Sequence, residues 1–232
     1  MKVALVTAAS RGIGEGAARA LAAKGYRLAL LARSDGVHHL ARELGGIAVQ
    51  GSVAEAADLE KLVALAQEKF GRIDAVVNNT GHPPTGDILS LTDDQWHAGL
   101  DMIVLNVIRV ARLVTPVMLA GGRGGAFVNI STIGVRQPDP RFPVSAVLRS
   151  GLAGFAKLYA ERYAAQGLRM NNLLPGRIDS YPQPSEKIAE IPAGRLGGVA
   201  EIAGVAAFLL SDEASYVNGQ DLVVDGGLIR GV

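Results

Sequence analysis

Val3-Ala4-Leu5-Val6-Thr7-Ala8-Ala9-Ser10-Arg11-Gly12-Ile13-Gly14-Glu15-Gly16-Ala17 is the stretch on which the fold turns. Its first five residues are mostly apolar and partly β-branched, the composition of a short buried strand. Glycines at 12, 14 and 16 break that run, and Ala17-Ala18-Arg19-Ala20-Leu21-Ala22-Ala23 restarts the chain with strong helix formers. Gly12-x-Gly14-x-x-Ala17 fits the dinucleotide fingerprint, with the strand before it and the helix after it as that fingerprint needs. A turn of this kind lets backbone N–H groups approach a pyrophosphate, and the helix N-terminus adds a favourable dipole. The stretch therefore predicts a nucleotide site rather than a plain strand-to-helix turn.

Outward from this turn, the pattern predicts strands at Val3–Thr7, Arg27–Ala32, Ile47–Gly51, Ala75–Asn78, Gly125–Ile130, Arg169–Leu174 and Asp221–Val224. Helical periodicity fills the gaps at Gly14–Lys24, Val37–Leu44, Ala54–Phe70, Asp93–Leu119, Ser145–Ala165 and Val199–Ser211. Strict alternation implies right-handed crossovers and an α/β fold, a doubly wound, seven-stranded parallel sheet flanked by helices. There is no internal repeat or low-complexity tract, so residues 1–232 read as one domain. Its one irregular span, about 176–198, is rich in Pro, Gly and Ser and reads as a substrate lid.

Composition agrees. Of the 232 residues, 49% are hydrophobic and 29 are glycine, as suits strands covered on both faces. A net charge of +1 gives no case for nucleic acid. The absence of cysteine excludes disulfides, thiolate catalysis and cysteine metal sites, and no metal site is expected. Met1-Lys2 precedes too short an apolar run for a signal peptide, and the long apolar run Met102–Leu119 carries Asn106, Arg109 and Arg112, which argues against a membrane span. A soluble cytoplasmic protein with a small-molecule substrate and no membrane partner is the expectation.

The second strand ends Leu30-Leu31-Ala32-Arg33-Ser34. A dinucleotide fold that prefers NAD places a carboxylate here to bind the ribose 2′-hydroxyl. Two guanidiniums, Arg33 and Arg11, with no carboxylate favour a 2′-phosphate, hence NADP(H) over NAD(H). The competing account is two solvated surface arginines.

Thr7-x-x-x-Arg11-Gly12-Ile13-Gly14 also resembles the signature of the short-chain dehydrogenase/reductase family, Thr-Gly-x-x-x-Gly-x-Gly, in its 3-oxoacyl-carrier-protein-reductase-like form. Ala8 replaces the first glycine, so the backbone there either keeps φ negative or accepts strain. The resemblance runs along nearly the whole chain and implies a Rossmann fold and an NAD(P)-dependent oxidoreductase of carbonyl or alcohol substrates. It implies cofactor contacts at Thr7, Ser10, Arg11, Gly12, Ile13 and Gly14, with Arg33 at the ribose. Ser52, where the family has Asp, and Val53 fall at the adenine. Val76-Val77-Asn78-Asn79-Thr80-Gly81 resembles the Asn-Asn-Ala-Gly motif, in which Asn78 braces the sheet and, with Gly81, borders the ribose. In Met170-Asn171-Asn172-Leu173-Leu174-Pro175-Gly176-Arg177-Ile178-Asp179-Ser180, the match puts Pro175, Gly176, Ile178 and Ser180 beside the nicotinamide.

The catalytic positions depart from the family. Trp96-His97-Ala98-Gly99-Leu100-Asp101-Met102-Ile103 aligns Ile103 with the family's catalytic-site Asn; Asn106 follows three residues later, rotated by roughly 60°. It is either a substitute or an asparagine paired with a neighbour. In Val128-Asn129-Ile130-Ser131-Thr132-Ile133-Gly134, Thr132 takes the place of the catalytic Ser and keeps a hydroxyl able to polarise a carbonyl. The family's Tyr-x-x-x-Lys lands on Ser145-Ala146-Val147-Leu148-Arg149, a register fixed by Ser150-Gly151-Leu152-Ala153-Gly154-Phe155-Ala156-Lys157. In the family the Lys cation lowers the Tyr pKa from about 10 so that the phenol exchanges a proton. A serine hydroxyl is a poor substitute without a base, and Arg149 keeps the charge, able to hold the nicotinamide ribose, but releases no proton. Three accounts stand: another acid (Tyr181, His82 or His97), a water donor, or a catalytically silent nucleotide-binding protein serving as sensor or scaffold. Arg136 and Arg141 near this helix point to an anionic ligand or to plain solvation. Apolar surface on the helix around Leu105–Val114 and the last strand, Asp221–Val224, imply a homotetramer or homodimer by the same resemblance.

Overall fold

The structure, a computed structural model, describes residues 1–231. Seven parallel strands form one sheet: β1 (Val3–Thr7), β2 (Arg27–Ala32), β3 (Ile47–Gln50), β4 (Ala75–Asn78), β5 (Gly125–Ile130), β6 (Leu168–Pro175) and β7 (Asp221–Val224). Their order is β3-β2-β1-β4-β5-β6-β7, so the direction of winding reverses between β1 and β4. This is the doubly wound Rossmann arrangement, and its ligands lie in the crevice above that reversal.

Helices α1 (Gly12–Ala23), α2 (Gly36–Glu43), α3 (Ala56–Phe70), α4 (Asp93–Leu100), α5 (Asn106–Gly121), α6 (Pro143–Tyr163), α7 (Ser185–Ala189) and α8 (Val199–Leu209) complete the chain. Strands alternate their side chains between the two faces. In β4, Ala75 and Val77 join the core under α1, α2 and α8, while Val76 joins the core under α3, α5 and α6. Local chemistry fixes the helix starts. Pro143 opens α6 where its missing N–H costs nothing. Thr92 and Gln95 make a capping box on α4. The predicted single helix 93–119 is instead α4, a π-helical turn at Asp101–Leu105, and α5. By length and composition the run Asp93–Gly121 is apolar enough to cross a membrane. Its Val107, Val110, Val114 and Met118 are packed against the sheet.

One polar feature interrupts the apolar interior. Asn78, Asn129, Asn172 and Asp221 stand opposite one another on β4 to β7. Each asparagine donates its side-chain amide to the next residue, ending on the Asp221 carboxylate: Asn78 to Asn129 at 2.8 Å, Asn129 to Asn172 at 2.8 Å, Asn172 to Asp221 at 2.7 Å.

Candidate functional site

The glycine turn lies at the carboxyl end of β1. Gly12 has φ +57° and Ala8 has φ +47°, so strain is accepted at Ala8 rather than avoided. A Cβ on Gly14 would fall 2.2 Å from Ala8 O and 2.7 Å from Asn79 Nδ2, so only glycine closes this turn. Asn79 holds it from the β4 side by donating to Ala8 O at 3.2 Å. Thr7 is fully buried; its hydroxyl bonds Asn79 O at 2.7 Å and accepts from Asn79 N at 2.9 Å, tying the ends of β1 and β4 together. Ser10 and Ile13 are half-buried on the turn, and Arg11 is exposed.

Arg33 reaches from the end of β2 across β1. Its Nη2 lies 3.7 Å from where a Cβ on Gly81 would stand, while Gln50 holds its carbonyl at 3.0 Å. Ser52 caps the start of the α3 approach, accepting from Ala54 N at 3.2 Å, and its own N–H goes to Asp58 at 3.0 Å. Val53 is buried against the α3 side of the core. Asn78 has its amide in the ladder and is buried, which leaves its backbone as the part able to border a ribose.

Thr132 follows β5, half-buried, with its hydroxyl accepting from Gly134 N at 3.3 Å. Ser145 is half-buried in the first turn of α6. Arg149, one turn on, is 7% exposed; its Nη1 donates to Ile130 O at 2.5 Å, and its Nε has no partner. Burial alone pulls this guanidinium down to about 10. Ile130 is two residues before Thr132, so the hydroxyl and the cation share one corner of the sheet edge. Ile103 is buried in the π-helical turn, and Asn106 follows that turn with its amide on Met102 O at 3.4 Å and its Oδ1 unpaired. Asn106 is thus turned inward, to its own helix.

At the other side of the crevice, Gly176 N bonds Val224 O at 2.9 Å and Pro175 pairs with Val224. Ile178 is buried and bridges to Gly197; Asp179 N bonds Gly197 O at 2.9 Å, and the Asp179 carboxylate takes Val199 N at 2.9 Å. The expected lid therefore has both ends pinned, and its second half is held as well, with Ile191 buried and Ala193 N on Gly226 O at 3.1 Å. Ser180 is exposed beside Gly12, and Tyr181 meets the His82 ring edge-to-face, centroids 5.6 Å apart. His97 stands exposed on α4. Arg141 is spent on Asp139 at 2.6 Å and Arg136 is 3.7 Å from Asp221. A separate hollow of about 580 Å³ opens at the opposite, amino-terminal edge, where Lys2 pairs with Asp212 and Arg169 donates to the carbonyls of Leu209, Ser211 and Val217. The described residues hold no cluster of His, Asp and Glu able to take a metal.

Three of these relationships were not visible in the sequence: the Asn79 brace, the amide ladder and the His82–Tyr181 contact. The ladder alone left a trace, since Asn78, Asn129, Asn172 and Asp221 each fall within one of the predicted strands.

A glycine turn after β1, with a hydroxyl and a buried cation further along the same carboxyl edge, sets this chain in the class of Rossmann-type α/β proteins. The family model described as Enoyl-(Acyl carrier protein) reductase matches residues 7–229. Oxidoreductase UcpA of Salmonella typhimurium is 36% identical over 246 residues, covering 97% of this chain and 94% of that protein. The 3-oxoacyl-acyl-carrier-protein reductase FabG of Escherichia coli is 34% identical over 237 residues, covering 98% and 97%. Among solved structures, L-sorbose reductase from Gluconobacter frateurii, complexed with NADPH and L-sorbose, superposes with TM-score 0.92 at 28% identity, covering 100% and 97%. The chain belongs to the short-chain dehydrogenase/reductase family and is FabG-like.

Proposed function

We propose that this protein is an NADP(H)-dependent oxidoreductase acting on a carbonyl or alcohol, with Ser145 and Arg149 in place of the family's Tyr and Lys. One arrangement carries the reading: along a single sheet edge, the glycine cradle with Arg33 and Arg11 at one end, and Thr132 with the buried Arg149 at the other. The residues fit the cofactor. Gly14 has no room for a Cβ, so the turn closes tightly with its backbone N–H groups at the crevice, and Arg149 Nε is an orphaned buried donor. Gly12, Ile13 and Ser10 would hold the pyrophosphate. Arg33 and Arg11 would take a 2′-phosphate as paired guanidiniums. Ser52, Val53, Asn78 and Gly81 would border the adenosine. Pro175, Gly176, Ile178 and Ser180 would border the nicotinamide, with Arg149 on its ribose. A bound nicotinamide supplies hydride transfer. Thr132 would polarise the substrate oxygen. Arg149 stabilises negative charge nearby but keeps its protons, so the proton comes from a different group or from water. That relatives include an NADPH complex and a 3-oxoacyl reductase supports the cofactor and the carbonyl class.

Exposed Val147 and Leu158 on α6, and Leu222 on the edge strand β7, support a homodimer or homotetramer, which light scattering would measure.

Fluorescence titration tests the cofactor. Arg33→Ala weakens NADPH about ten- to a hundredfold and leaves NADH unchanged; an unchanged ratio refutes the NADP preference. NADPH oxidation against β-ketoacyl thioesters, ketones, aldehydes and quinones tests the chemistry. A second reading, a silent nucleotide-binding sensor or scaffold, is favoured by the missing Tyr and Lys. Tight binding with no turnover on that panel would select it.

A further inference from the structure

Ser180 and Tyr181 are the first residues of the lid segment beyond its pinned base, and they point to a contact that belongs to neither family motif. Ser180 comes down on the glycine turn: a Cβ on Gly12 would meet Ser180 Cβ at 3.5 Å. The next residue, Tyr181, reaches the segment leaving β4 and sets its ring perpendicular to that of His82, 89° between planes and 5.6 Å between centroids. The glycine turn follows β1, and His82 follows β4, the neighbouring strand across which the winding reverses. Two consecutive residues therefore touch both walls of the crevice described above.

We propose that the His82–Tyr181 pair is a clasp across the cofactor crevice that retains the bound dinucleotide and governs how fast it leaves. The base of the clasp is rigid. Ile178 is bridged to Gly197, Asp179 N bonds Gly197 O, and the Asp179 carboxylate holds Val199 N. Arg177 anchors the far limb of the lid through Lys187 O and Glu190. Tyr181 is half exposed and His82 is exposed, so neither ring is needed to fill the core. What holds Tyr181 in place is the edge-to-face contact, an interaction of the size that shifts a rate constant by a modest factor without controlling folding. Opening it frees Ser180 and Tyr181 together and unroofs the glycine turn.

The inference rests on the nicotinamide cofactor reading above, and the test separates the two. NADPH bound to the full chain is displaced in a stopped-flow instrument and followed by its own fluorescence. Tyr181→Ala and His82→Ala each raise the dissociation rate about two- to tenfold. The double variant releases no faster than the quicker single variant, because both remove one contact. Tyr181→Phe keeps the ring and releases at the wild-type rate. On the protein alone, the His82 ring-proton resonances shift in Tyr181→Ala and stay in place in Tyr181→Phe. Wild-type release rates in both alanine variants, or fully additive effects in the double variant, overturn the clasp while leaving cofactor binding intact. A wild-type protein that gives no NADPH fluorescence change overturns the cofactor reading, and the clasp with it.

Discussion

Asn129 donates its side-chain amide to Asn172 at 2.8 Å, across the β5–β6 pair deep in the sheet. Both residues are 1% exposed. A buried amide in a parallel sheet is costly unless paired, and here each pairs with a residue directly opposite. Because side chains alternate faces with period two, sliding β5 by one residue would break the bonds on both sides of Asn129 at once.

Asn129→Ala leaves Asn78 Nδ2 and Asn172 Oδ1 without partners. The expected loss is about 2–5 kcal/mol, one desolvation penalty for each orphaned group. Urea denaturation monitored by circular dichroism measures it. A loss below about 1 kcal/mol would mean that water replaces the ladder.

Ala8 sits at φ +47°, where an L-residue is strained and glycine is not. Ala8→Gly relieves that strain and gives back part of the gain as unfolded-chain entropy. The net stabilisation expected is about 0.5–1 kcal/mol. A thermal melt that falls rather than rises would contradict it.

Ser145 and Arg149, one helical turn apart on α6, are the residues proposed above to stand in for the family's Tyr and Lys. The double variant Ser145→Tyr with Arg149→Lys rebuilds a phenol beside a cation. NADPH-dependent turnover of the best carbonyl in the panel should rise by about a hundredfold or more, the size of general-acid catalysis. Equal rates would show that this corner is not where the substrate oxygen lies.

Glu201 is held down to about 2, first by Arg195, which reaches it at 2.7 and 2.8 Å, and then by the Gly198 N–H. Its folded value is below the unfolded one, so the stabilisation is complete above about 4.5. It is lost as pH falls from there through about 2. Melting temperature followed over that window should fall more steeply for the wild type than for Glu201→Gln. Parallel curves would count against it.

The strands were legible because parallel strands covered on both faces read as unbroken apolar runs. β1, β2, β4, β5 and β7 lie where the residues place them, and β3 and β6 differ by a residue at their ends. The π-helical turn before Asn106 was not legible, since one extra residue per turn is hidden inside a continuous apolar period. The glycine turn announced itself through Gly12 and Gly14, but its brace, Asn79, is 65 residues beyond Gly14 and follows another strand, β4. The ladder and the His82–Tyr181 contact share that character. Each depends on which strands become neighbours, a property of topology and not of local pattern. The burial of Arg149 is the same case: the sequence supplies a cation on a helix, and only the packing of α6 against the sheet removes it from water.

Ile178 bridged to Gly197 means that the loop between them begins and ends at one place on the domain. Closing a loop whose ends already touch costs little more when its contents lengthen, about 0.6 kcal/mol for each doubling. The exposed tip of that loop, ahead of the carbonyl of Lys187 that Arg177 holds, is therefore an exchangeable cassette. Donor segments of other lengths can be spliced in between 182 and 186 to retarget the molecule, while the sheet beneath keeps its shape.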